Sequence, residues 1–383
     1  MPSDLLTHAL YIGLMSGTSM DGVDGVLGSF DAQDGAHTAQ VIAHAHVDFA
    51  PSLRAMLAAL QNSDADEIHR EAMAANLLTQ CYADCVAQLL AASGTSATSI
   101  RAIGAHGQTV RHRPDLGYSR QINNPALLAE LSAIDVVADF RSRDIAAGGQ
   151  GAPLVPAFHQ WLFGAASTQR VLANIGGISN ISVVAASNDS TRPTTGFDTG
   201  PGNVLLDYWI AQQRGVAYDA GGAWGASGVV HAGLLAALRD EPFFKLSGPK
   251  STGRDLFNAA WLQHCLAPFG TLDVADIQAT LTELTATTLA AAIHAHAPSA
   301  TQVYVCGGGA FNSFLMTRLQ AALTLYGSAA SLHSTASLGV PPDQVEALAF
   351  AWLARQFTLR ESASIAAVTG ARGARILGAL YPS

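Results

Sequence analysis

The sequence predicts an α/β protein built from two similar lobes. Its 383 residues exceed the roughly 250–300 residues at which a single hydrophobic core stops growing. Hydrophobic residues make up 49% of the chain and charged residues only 13%, which permits a large buried core. A pattern of strand, glycine turn and strand near the N-terminus recurs about 160 residues later, and two related lobes would leave such a weak internal repeat.

In the first half, hydrophobic periodicity predicts several strands and one long helical stretch. The strands fall at 8–15, 25–30, 41–49, 100–105 and 134–138. Pro51 opens the helical stretch, which continues through 64–90 with apolar residues three and four apart. Asp139 lies at the carboxyl end of the last strand, which is where open α/β sheets collect their ligands.

The second half starts like the first and ends in helices. Strands are predicted at 170–174, 181–185 and 302–306, and helices at 275–295 and 343–356. The polar segment 187–195 is expected to form an exposed loop. We therefore expect a first lobe of residues 1–140, completed by 350–383, and a second lobe of residues 141–349.

Composition excludes several classes of protein. A formal net charge of -9 with only two lysines argues against a nucleic-acid partner, and any bound phosphate must be held mainly by backbone amides, Arg or a metal. No Lys or Arg precedes Arg54, and no apolar run reaches the roughly 18 residues of a membrane span. These features predict a cytoplasmic protein without a membrane partner. Four scattered cysteines predict no disulfide framework.

The segment GTSMDGVD, directly after the first strand, is the strongest chemical motif. Its glycines let the backbone approach a phosphate, and its hydroxyls and successive amides supply donors. The residues of this candidate cradle are Gly17, Thr18, Ser19, Met20, Asp21, Gly22, Val23 and Asp24. An ordinary hairpin turn is the alternative. A Walker A loop is absent, because Lys250 and Ser251 follow a proline instead of a glycine.

Asp198 is the candidate general base. It lies in GFDTGPGN, where flanking glycines would let a substrate approach its carboxylate. The competing interpretation, equally open from the residues alone, is that Asp198 caps a helix starting near Pro201.

A third polar cluster could bind a hydroxyl-rich ligand that carries a carboxylate. Its members lie at or near predicted strand ends, and they are His106, Gln108, Asn123, Arg141 and Asp144. The Arg141 guanidinium offers a fork that matches a carboxylate. Each of these residues could instead be a loop anchor or a member of a surface ion pair.

Two further patterns favour structural roles or remain open. The pairs His44 with His46 and His294 with His296 are more simply surface histidines than metal ligands. The triple glycine at 307–309 lacks dinucleotide-binding spacing and is as consistent with a tight turn as with a nucleotide contact.

Taken together, the motifs resemble those of the anhydro-N-acetylmuramic acid kinase family. The resemblance spans nearly the whole chain, in the family's order. The matching stretches are GLMSGTSMDGVD at 13–24, HGQT at 106–109, DFRSRDIAAGGQGAPLVP at 139–156, NIGGISN at 174–180, GFDTGPGN at 196–203, PKSTGRDLFN at 249–258 and CGGGAFN at 306–312. Chemistry assigns no role to PKSTGRD, for which a helix cap and a cleft-lining loop are both open.

The resemblance implies two actin-like (ribonuclease H-like) lobes with a central ATP cleft. It implies phosphate contacts at 17–24 and at Gly176, Gly177 and Asn180. Contacts on the adenosine side are implied at Gly307, Gly308, Gly309 and Asn312. It also implies Mg²⁺, for which Asp21 is the candidate ligand, and a homodimer.

The family resemblance also implies a reaction. The 1,6-anhydro bridge of the sugar is opened with water, and O6 is phosphorylated by ATP to give N-acetylmuramic acid 6-phosphate and ADP during cell-wall recycling. Asp198 would be the base that activates the water. Two alternatives are a kinase of this fold with another sugar or small acid as acceptor, and a nucleotide-gated binding module that phosphorylates nothing.

Overall fold

The computed structural model describes residues 9–17, 19–33, 36–186, 188, 193–247 and 250–383. The chain divides into two compact units. Unit 1 comprises Met1–Leu162 and Gln344–Ser383, and unit 2 comprises Phe163–Asp343.

The described residues form thirteen β-strands and twelve α-helices. The strands are β1 (Leu10–Met15), β2 (Gly22–Gln33), β3 (Ala36–Asp48), β4 (Ile100–Ala105), β5 (Gln108–Arg113), β6 (Tyr118–Ile122), β7 (Val136–Ala138), β8 (Arg170–Ile175), β9 (Ile178–Val184), β10 (Thr195–Pro201), β11 (Gln302–Cys306), β12 (Ser331–Ser334) and β13 (Ala379–Tyr381). The α-helices are α1 (Pro51–Ala59), α2 (Glu67–Ser93), α3 (Pro125–Ser132), α4 (Ser142–Ala146), α5 (Val155–Phe163), α6 (Val204–Arg214), α7 (Ala232–Arg239), α8 (Ala259–Leu266), α9 (Val274–His296), α10 (Ser313–Leu325), α11 (Val345–Leu359) and α12 (Ala366–Thr369).

Unit 1 contains a sheet in the order β13-β7-β4-β1-β2-β3. The β1–β2 and β2–β3 pairs are antiparallel, whereas β1–β4 and β4–β7 are parallel. Helix α2 contributes Leu78, Tyr82 and Leu89 to the hydrophobic core on one face of this sheet. A β5–β6 hairpin forms a separate two-stranded sheet.

Helix α11 lies against β1 and β4 at two glycines. A Cβ atom on Gly13 would lie 1.8 Å from the Ala347 carbonyl oxygen, and one on Gly104 would lie 2.0 Å from the Phe350 carbonyl oxygen. Real Cβ atoms essentially never come this close to backbone atoms. Glycine at both positions therefore sets the distance between this helix and the sheet.

Unit 2 contains a sheet in the order β10-β9-β8-β11-β12. The β8–β9 and β9–β10 pairs are antiparallel, and β8–β11 and β11–β12 are parallel. This is the same order and direction as β3-β2-β1-β4-β7 of unit 1. The predicted α/β class with two similar lobes is confirmed.

Residues 141–162 group with unit 1, although the sequence assigned them to the second lobe. Hydrogen bonds to the C-terminal segment explain this grouping. The Thr369 hydroxyl donates to Asp144 Oδ1 over 2.8 Å, the Gln150 amide donates to the Thr369 carbonyl over 2.8 Å, and the Arg372 amide donates to the Ala147 carbonyl over 2.9 Å. Residues 344–349 also belong to unit 1, because α11 packs on its sheet.

Two further differences concern local structure. The helical stretch predicted from Pro51 is two helices, α1 and α2, separated at residues 60–66. Strand β10 was not predicted, and only residues 188 and 193–195 of the predicted loop at 187–195 lie within the described part of the chain.

Within the described part of the chain, no single helix has the length and hydropathy to cross a membrane. One pair of helical segments, 220–227 and 232–239, meets these criteria only when the two are taken together, and the pair is bent by 119°.

Candidate functional site

The glycine-rich turn of unit 1 leaves the carboxyl end of β1 and remains accessible. A Cβ atom on Gly17 would meet nothing closer than 3.9 Å, so there is open space beside this backbone. Ser19 and Asp21 are exposed, and the Ser19 hydroxyl donates to Asp21 Oδ1 over 2.5 Å. Met20 has a φ of 54°, a left-handed conformation that costs energy for a non-glycine residue. Thr18 lies outside the described residues.

The last three residues of the predicted cradle belong to strand β2. Gly22, Val23 and Asp24 pair with Asp48, Val47 and His46 of β3. The Val23 side chain is fully buried in the core of unit 1, so it faces no ligand. The open part of the motif therefore lies in the turn, at residues 17 and 19–21.

Asp24 forms a hydrogen bond with His46 and lies near His44, both on the neighbouring strand β3. His46 Nδ1 lies 2.8 Å and His44 Nε2 lies 3.7 Å from Asp24 Oδ1. The hydrogen bond to Asp24 raises the pKa of His46 to about 9 despite partial burial, and His46 Nε2 lies 3.4 Å from Asp48. Burial raises the pKa of Asp24, but its interactions with His44 and His46 outweigh burial and the net shift is downward.

This pair predicts a pH-dependent stability. Because the folded-state pKa of His46 is about 9, above its usual 6.5, the stabilisation is complete below about pH 6.5 and is lost as the pH rises toward 9. The lowered pKa of Asp24 adds stability that is lost only in acid. The His46 side chain is 38% exposed, so solvent screening limits the effect to about 1 kcal/mol.

Thermal unfolding of wild type and His46→Asn at pH 6 and pH 9 measures this effect. We expect the wild type to be more stable than His46→Asn at pH 6. The difference in stability between the two proteins should become smaller at pH 9. A gap that stays constant across this range would contradict the predicted linkage.

His106 and Gln108, predicted to contact the sugar, bind the backbone that leads into the glycine-rich turn. His106 Nδ1 lies 3.1 Å from the Ser16 carbonyl oxygen, and Gln108 Nε2 donates to the Gly17 carbonyl over 3.1 Å. Arg141 Nη2 lies 2.9 Å from His106 Nε2. Burial, reinforced by the Arg141 charge, lowers the pKa of His106 to about 3, so this imidazole is neutral.

Asp144 takes the role of a loop anchor, the alternative that the sequence left open for each member of this cluster. It is fully buried, and Asp144 Oδ2 accepts from the Gly151 amide over 2.8 Å. Its other oxygen accepts from Thr369. Asn123 is half-buried and lies beside Gly107, whose φ is 78°. The cluster thus divides into residues that order loops and residues beside the turn.

In unit 2, Asp198 is half-buried on strand β10, at an irregularity in its pairing with β9. Asp198 Oδ2 accepts from the Thr252 amide over 2.9 Å, and the Asp198 amide donates to the Lys250 carbonyl over 3.0 Å. This segment is the PKSTGRD stretch, of which Pro249 lies outside the described residues. Its described part therefore holds the candidate base through the backbone.

The Lys250 side chain interacts electrostatically with the same carboxylate. Its Nζ donates to the Phe243 carbonyl over 3.0 Å and stands 4.4 Å from the centroid of the Phe243 ring. Burial lowers the pKa of Lys250, and the negative charge of Asp198 opposes that shift. Lys250 thus contributes positive charge near the candidate base, a role that the sequence did not reveal.

The helix-cap interpretation of Asp198 is wrong. Helix α6 begins at Val204, its N-cap is Asn203, and Asp198 lies within β10. The GPGN residues instead bind the glycine turn between β8 and β9, since the Gly202 amide donates to the Gly177 carbonyl over 2.9 Å and the Asn203 amide donates to the Gly176 carbonyl over 2.8 Å.

Three polar residues form a row across the sheet of unit 2. Asn174 of β8 pairs with Asn180 of β9, which pairs with Asp198 of β10. Paired residues on adjacent antiparallel strands place their side chains on the same face. Asn174 is 5% exposed, and its Oδ1 has no hydrogen-bond partner among the described residues. A buried polar atom without a partner is typical of a ligand or water site. Asn174 was not among the predicted site residues.

The triple glycine follows β11 and packs tightly. Gly307 has a φ of 80°, and a Cβ on it would lie 2.4 Å from Asn174 Oδ1. A Cβ on Gly309 would lie 2.3 Å from Ile175 Cγ2, whereas one on Gly308 would meet nothing closer than 3.7 Å. Asn312 caps α10 through its side chain. The turn therefore needs glycine for packing at two positions and leaves Gly308 open.

No group of three His, Cys, Asp or Glu side chains suited to a metal occurs in the described part of the chain. Mg²⁺ is usually held by one or two carboxylates together with substrate phosphates and waters. The exposed Asp21 carboxylate fits that mode of binding.

Comparison with known proteins decides the family. A family model described as anhydro-N-acetylmuramic acid kinase matches residues 9–383. The chain belongs to the anhydro-N-acetylmuramic acid kinase family. A curated relative of that name from Burkholderia cenocepacia is 56% identical over 373 residues, covering 97% of this chain and 96% of the relative. Another from Cupriavidus metallidurans is 55% identical over 388 residues, covering 100% of both chains.

One solved structure that matches this chain is a distant relative in sequence. The activator of the 2-hydroxyisocaproyl-CoA dehydratase from Clostridium difficile with bound ADPNP shares 12% sequence identity with this chain at a TM-score of 0.48. The match covers 92% of this chain and 96% of that one.

Proposed function

We propose that the chain is an ATP-dependent kinase that opens 1,6-anhydro-N-acetylmuramic acid with water and phosphorylates O6, yielding N-acetylmuramic acid 6-phosphate and ADP in peptidoglycan recycling. Membership of the kinase family over residues 9–383 supports this reaction. The observation that carries the mechanism is the position of Asp198, a half-buried carboxylate on β10 that is oriented by the Thr252 amide.

In this reaction Asp198 accepts a proton from the attacking water. The water oxygen forms a bond to the anomeric carbon while the bond from that carbon to O6 breaks. O6 then attacks the γ-phosphorus, and ADP leaves. A fixed general base contributes about 10² to 10⁴ in rate, and the hydrogen bond from Thr252 holds the carboxylate in one orientation.

The glycine-rich turns are the proposed nucleotide contacts. Residues 17–21 are exposed or half-buried where described. Gly176 and Gly177 are half-buried, and Gly308 is exposed. The chain has only two lysines, so backbone amides must supply many of the donors to the phosphates. Mg²⁺, when bound by the phosphates and Asp21, would neutralise charge that develops on the transferred phosphoryl group.

The mass of the product tests the proposed function. We expect 1,6-anhydro-N-acetylmuramic acid incubated with ATP and Mg²⁺ to gain one water and one phosphoryl group in a single product. In water labelled with oxygen-18, the label should appear on the anomeric carbon and not in the phosphate. A phosphorylated product that keeps the anhydro bridge, or no product at all, would contradict the proposal.

Two glycine substitutions test the phosphate contact in unit 2. A Cβ on Gly176 would meet only the Ile178 carbonyl oxygen at 3.6 Å, so Gly176→Ala should leave thermal stability unchanged. If a phosphate lies beside this backbone, the added methyl should raise the Kd for ATP by about tenfold. Calorimetric titration with a non-hydrolysable ATP analogue measures it.

Gly202→Ala is the matched variant. Its Cβ would lie 2.3 Å from the Gly176 carbonyl oxygen, so we expect both lower stability and weaker ATP binding. Unchanged ATP affinity in a folded Gly176→Ala protein would remove this turn from the nucleotide site.

We further propose that the protein is cytoplasmic, with a sugar as its small-molecule partner and no nucleic-acid or membrane partner. We also propose that it forms a homodimer, as the family resemblance implies. Sedimentation of the purified protein at micromolar concentration tests the oligomer. A mass corresponding to one 39.6 kDa chain would contradict the dimer.

A further inference from the structure

Three buried side chains contact Ser16 and Gly17, the two residues at which β1 leads into the glycine-rich turn. Tyr82 and Ser16 are both fully buried, and the Tyr82 hydroxyl lies 2.8 Å from Ser16 Oγ. His106 Nδ1 faces the Ser16 carbonyl and Gln108 Nε2 faces the Gly17 carbonyl, each over 3.1 Å. Side chains from α2, from β5 and from the turn before β5 thus fix this short backbone segment.

The hydrogen-bond roles of His106 are determined by Arg141. A guanidinium can only donate, so Arg141 Nη2 donates to His106 Nε2, which must be the acceptor. The proton of the neutral ring therefore resides on Nδ1, which donates to the Ser16 carbonyl. Gln121 Nε2, 2.5 Å from the same His106 Nε2, occupies the remaining space. His106 is only 5% exposed, and both ring nitrogens lie within hydrogen-bond distance of protein atoms.

The direction of this backbone follows from the donors behind it. In a planar trans peptide, the carbonyl of one residue and the amide of the next point in opposite directions. Because the Ser16 carbonyl points toward buried His106, the Gly17 amide points the other way. That amide is the first donor of the accessible turn, where a Cβ on Gly17 would meet nothing closer than 3.9 Å.

We propose that His106 and Gln108 are positioning residues that fix the Ser16–Gly17 backbone so that the Gly17 amide faces a nucleotide phosphate, instead of contacting the sugar themselves. This inference rests on the proposed ATP-dependent function. It replaces the sugar contacts that the sequence predicted for these two residues. Gln108 is 1% exposed, which agrees with a role behind the turn.

Two substitutions of His106 separate the alternatives, since each retains one half of the ring's hydrogen bonding. Asn Nδ2 can occupy the place of His Nδ1, so His106→Asn keeps the donor to the Ser16 carbonyl. Gln reaches the place of His Nε2, so His106→Gln keeps a partner for Arg141 but loses that donor. Both variants place an uncharged amide in the same buried space.

Calorimetric binding of a non-hydrolysable ATP analogue and, separately, of 1,6-anhydro-N-acetylmuramic acid provides the readout. We expect His106→Asn to bind the analogue within about twofold of wild type and His106→Gln to bind it about tenfold more weakly, with sugar affinity unchanged in both. The inference is overturned if sugar affinity falls while analogue affinity is retained, or if both variants bind the analogue like wild type.

Gln108→Leu provides a second test should either His106 variant fail to fold. It removes the donor to the Gly17 carbonyl together with Gln108 Oε1, a buried atom with no hydrogen-bond partner among the described residues. We expect thermal stability near that of wild type and analogue binding about tenfold weaker. A folded Gln108→Leu protein with wild-type analogue affinity would overturn the inference. Wild type that binds the analogue but never converts the sugar would instead contradict the proposed function alone.

Discussion

Asp198→Asn is expected to lower kcat by about 10² to 10⁴, or below detection, while the Kd for ATP stays near that of wild type. Asparagine preserves the shape of the side chain and can still accept from the Thr252 amide, 2.9 Å from Asp198 Oδ2 in the wild type. It cannot accept a proton from water at neutral pH. The loss should therefore appear in turnover and not in nucleotide binding.

Asp240→Asn is the control, because it removes the same charge from unit 2 at the surface. Asp240 is 79% exposed and pairs only with Lys245 among its charged neighbours in the described residues, so activity should be unchanged. Initial rates of ADP release and calorimetric ATP titrations on both variants provide the comparison. An Asp198→Asn enzyme with full activity would show that another group is the base.

Gly13→Ala is expected to destabilise unit 1 by about 3 kcal/mol, which for a unit of this size lowers the thermal midpoint by roughly 6–12 °C. The added Cβ would lie 1.8 Å from the Ala347 carbonyl oxygen and 2.5 Å from the Ala351 nitrogen. Both are backbone atoms of α11, so no side-chain rotation can relieve the contact. The helix must move away from β1, and the apolar packing between them is lost.

Gly17→Ala is the matched variant for stability, four residues further along the chain. Its Cβ would meet no atom closer than 3.9 Å, so the midpoint should change by about 1 °C or less. Differential scanning calorimetry measures both variants. Equal midpoints for Gly13→Ala and wild type would mean that α11 can shift without loss of stability.

The sheets were predictable because their strands carry local signals. Buried strands such as β4 and β11 are short apolar runs that end at polar or glycine residues, and that pattern survives in the structure. Strand β10 carries the opposite signal, since TGFDTGP has the composition of a turn. It becomes a strand because the preceding strand β9 supplies backbone partners, and that pairing cannot be inferred from local propensity.

The candidate site was predictable in residue type but not in arrangement. Asp198 was selected from its neighbouring glycines, yet the Thr252 amide that orients it lies 54 positions away in sequence. His106 was selected as a polar residue at a strand end, and its burial against Phe350 of α11 depends on the fold. Sequence spacing identifies reactive groups, whereas long-range contacts decide which of them face a ligand.

The discontinuous composition of unit 1 affects the order in which the chain can acquire its structure during translation. Unit 2 is one uninterrupted stretch, so it can form as soon as it leaves the ribosome, as continuous domains generally do. The β1–β4 surface that meets α11 must wait for the last forty or so residues to emerge. Until then the apolar side chains on that surface lack the helix that covers them in the folded unit.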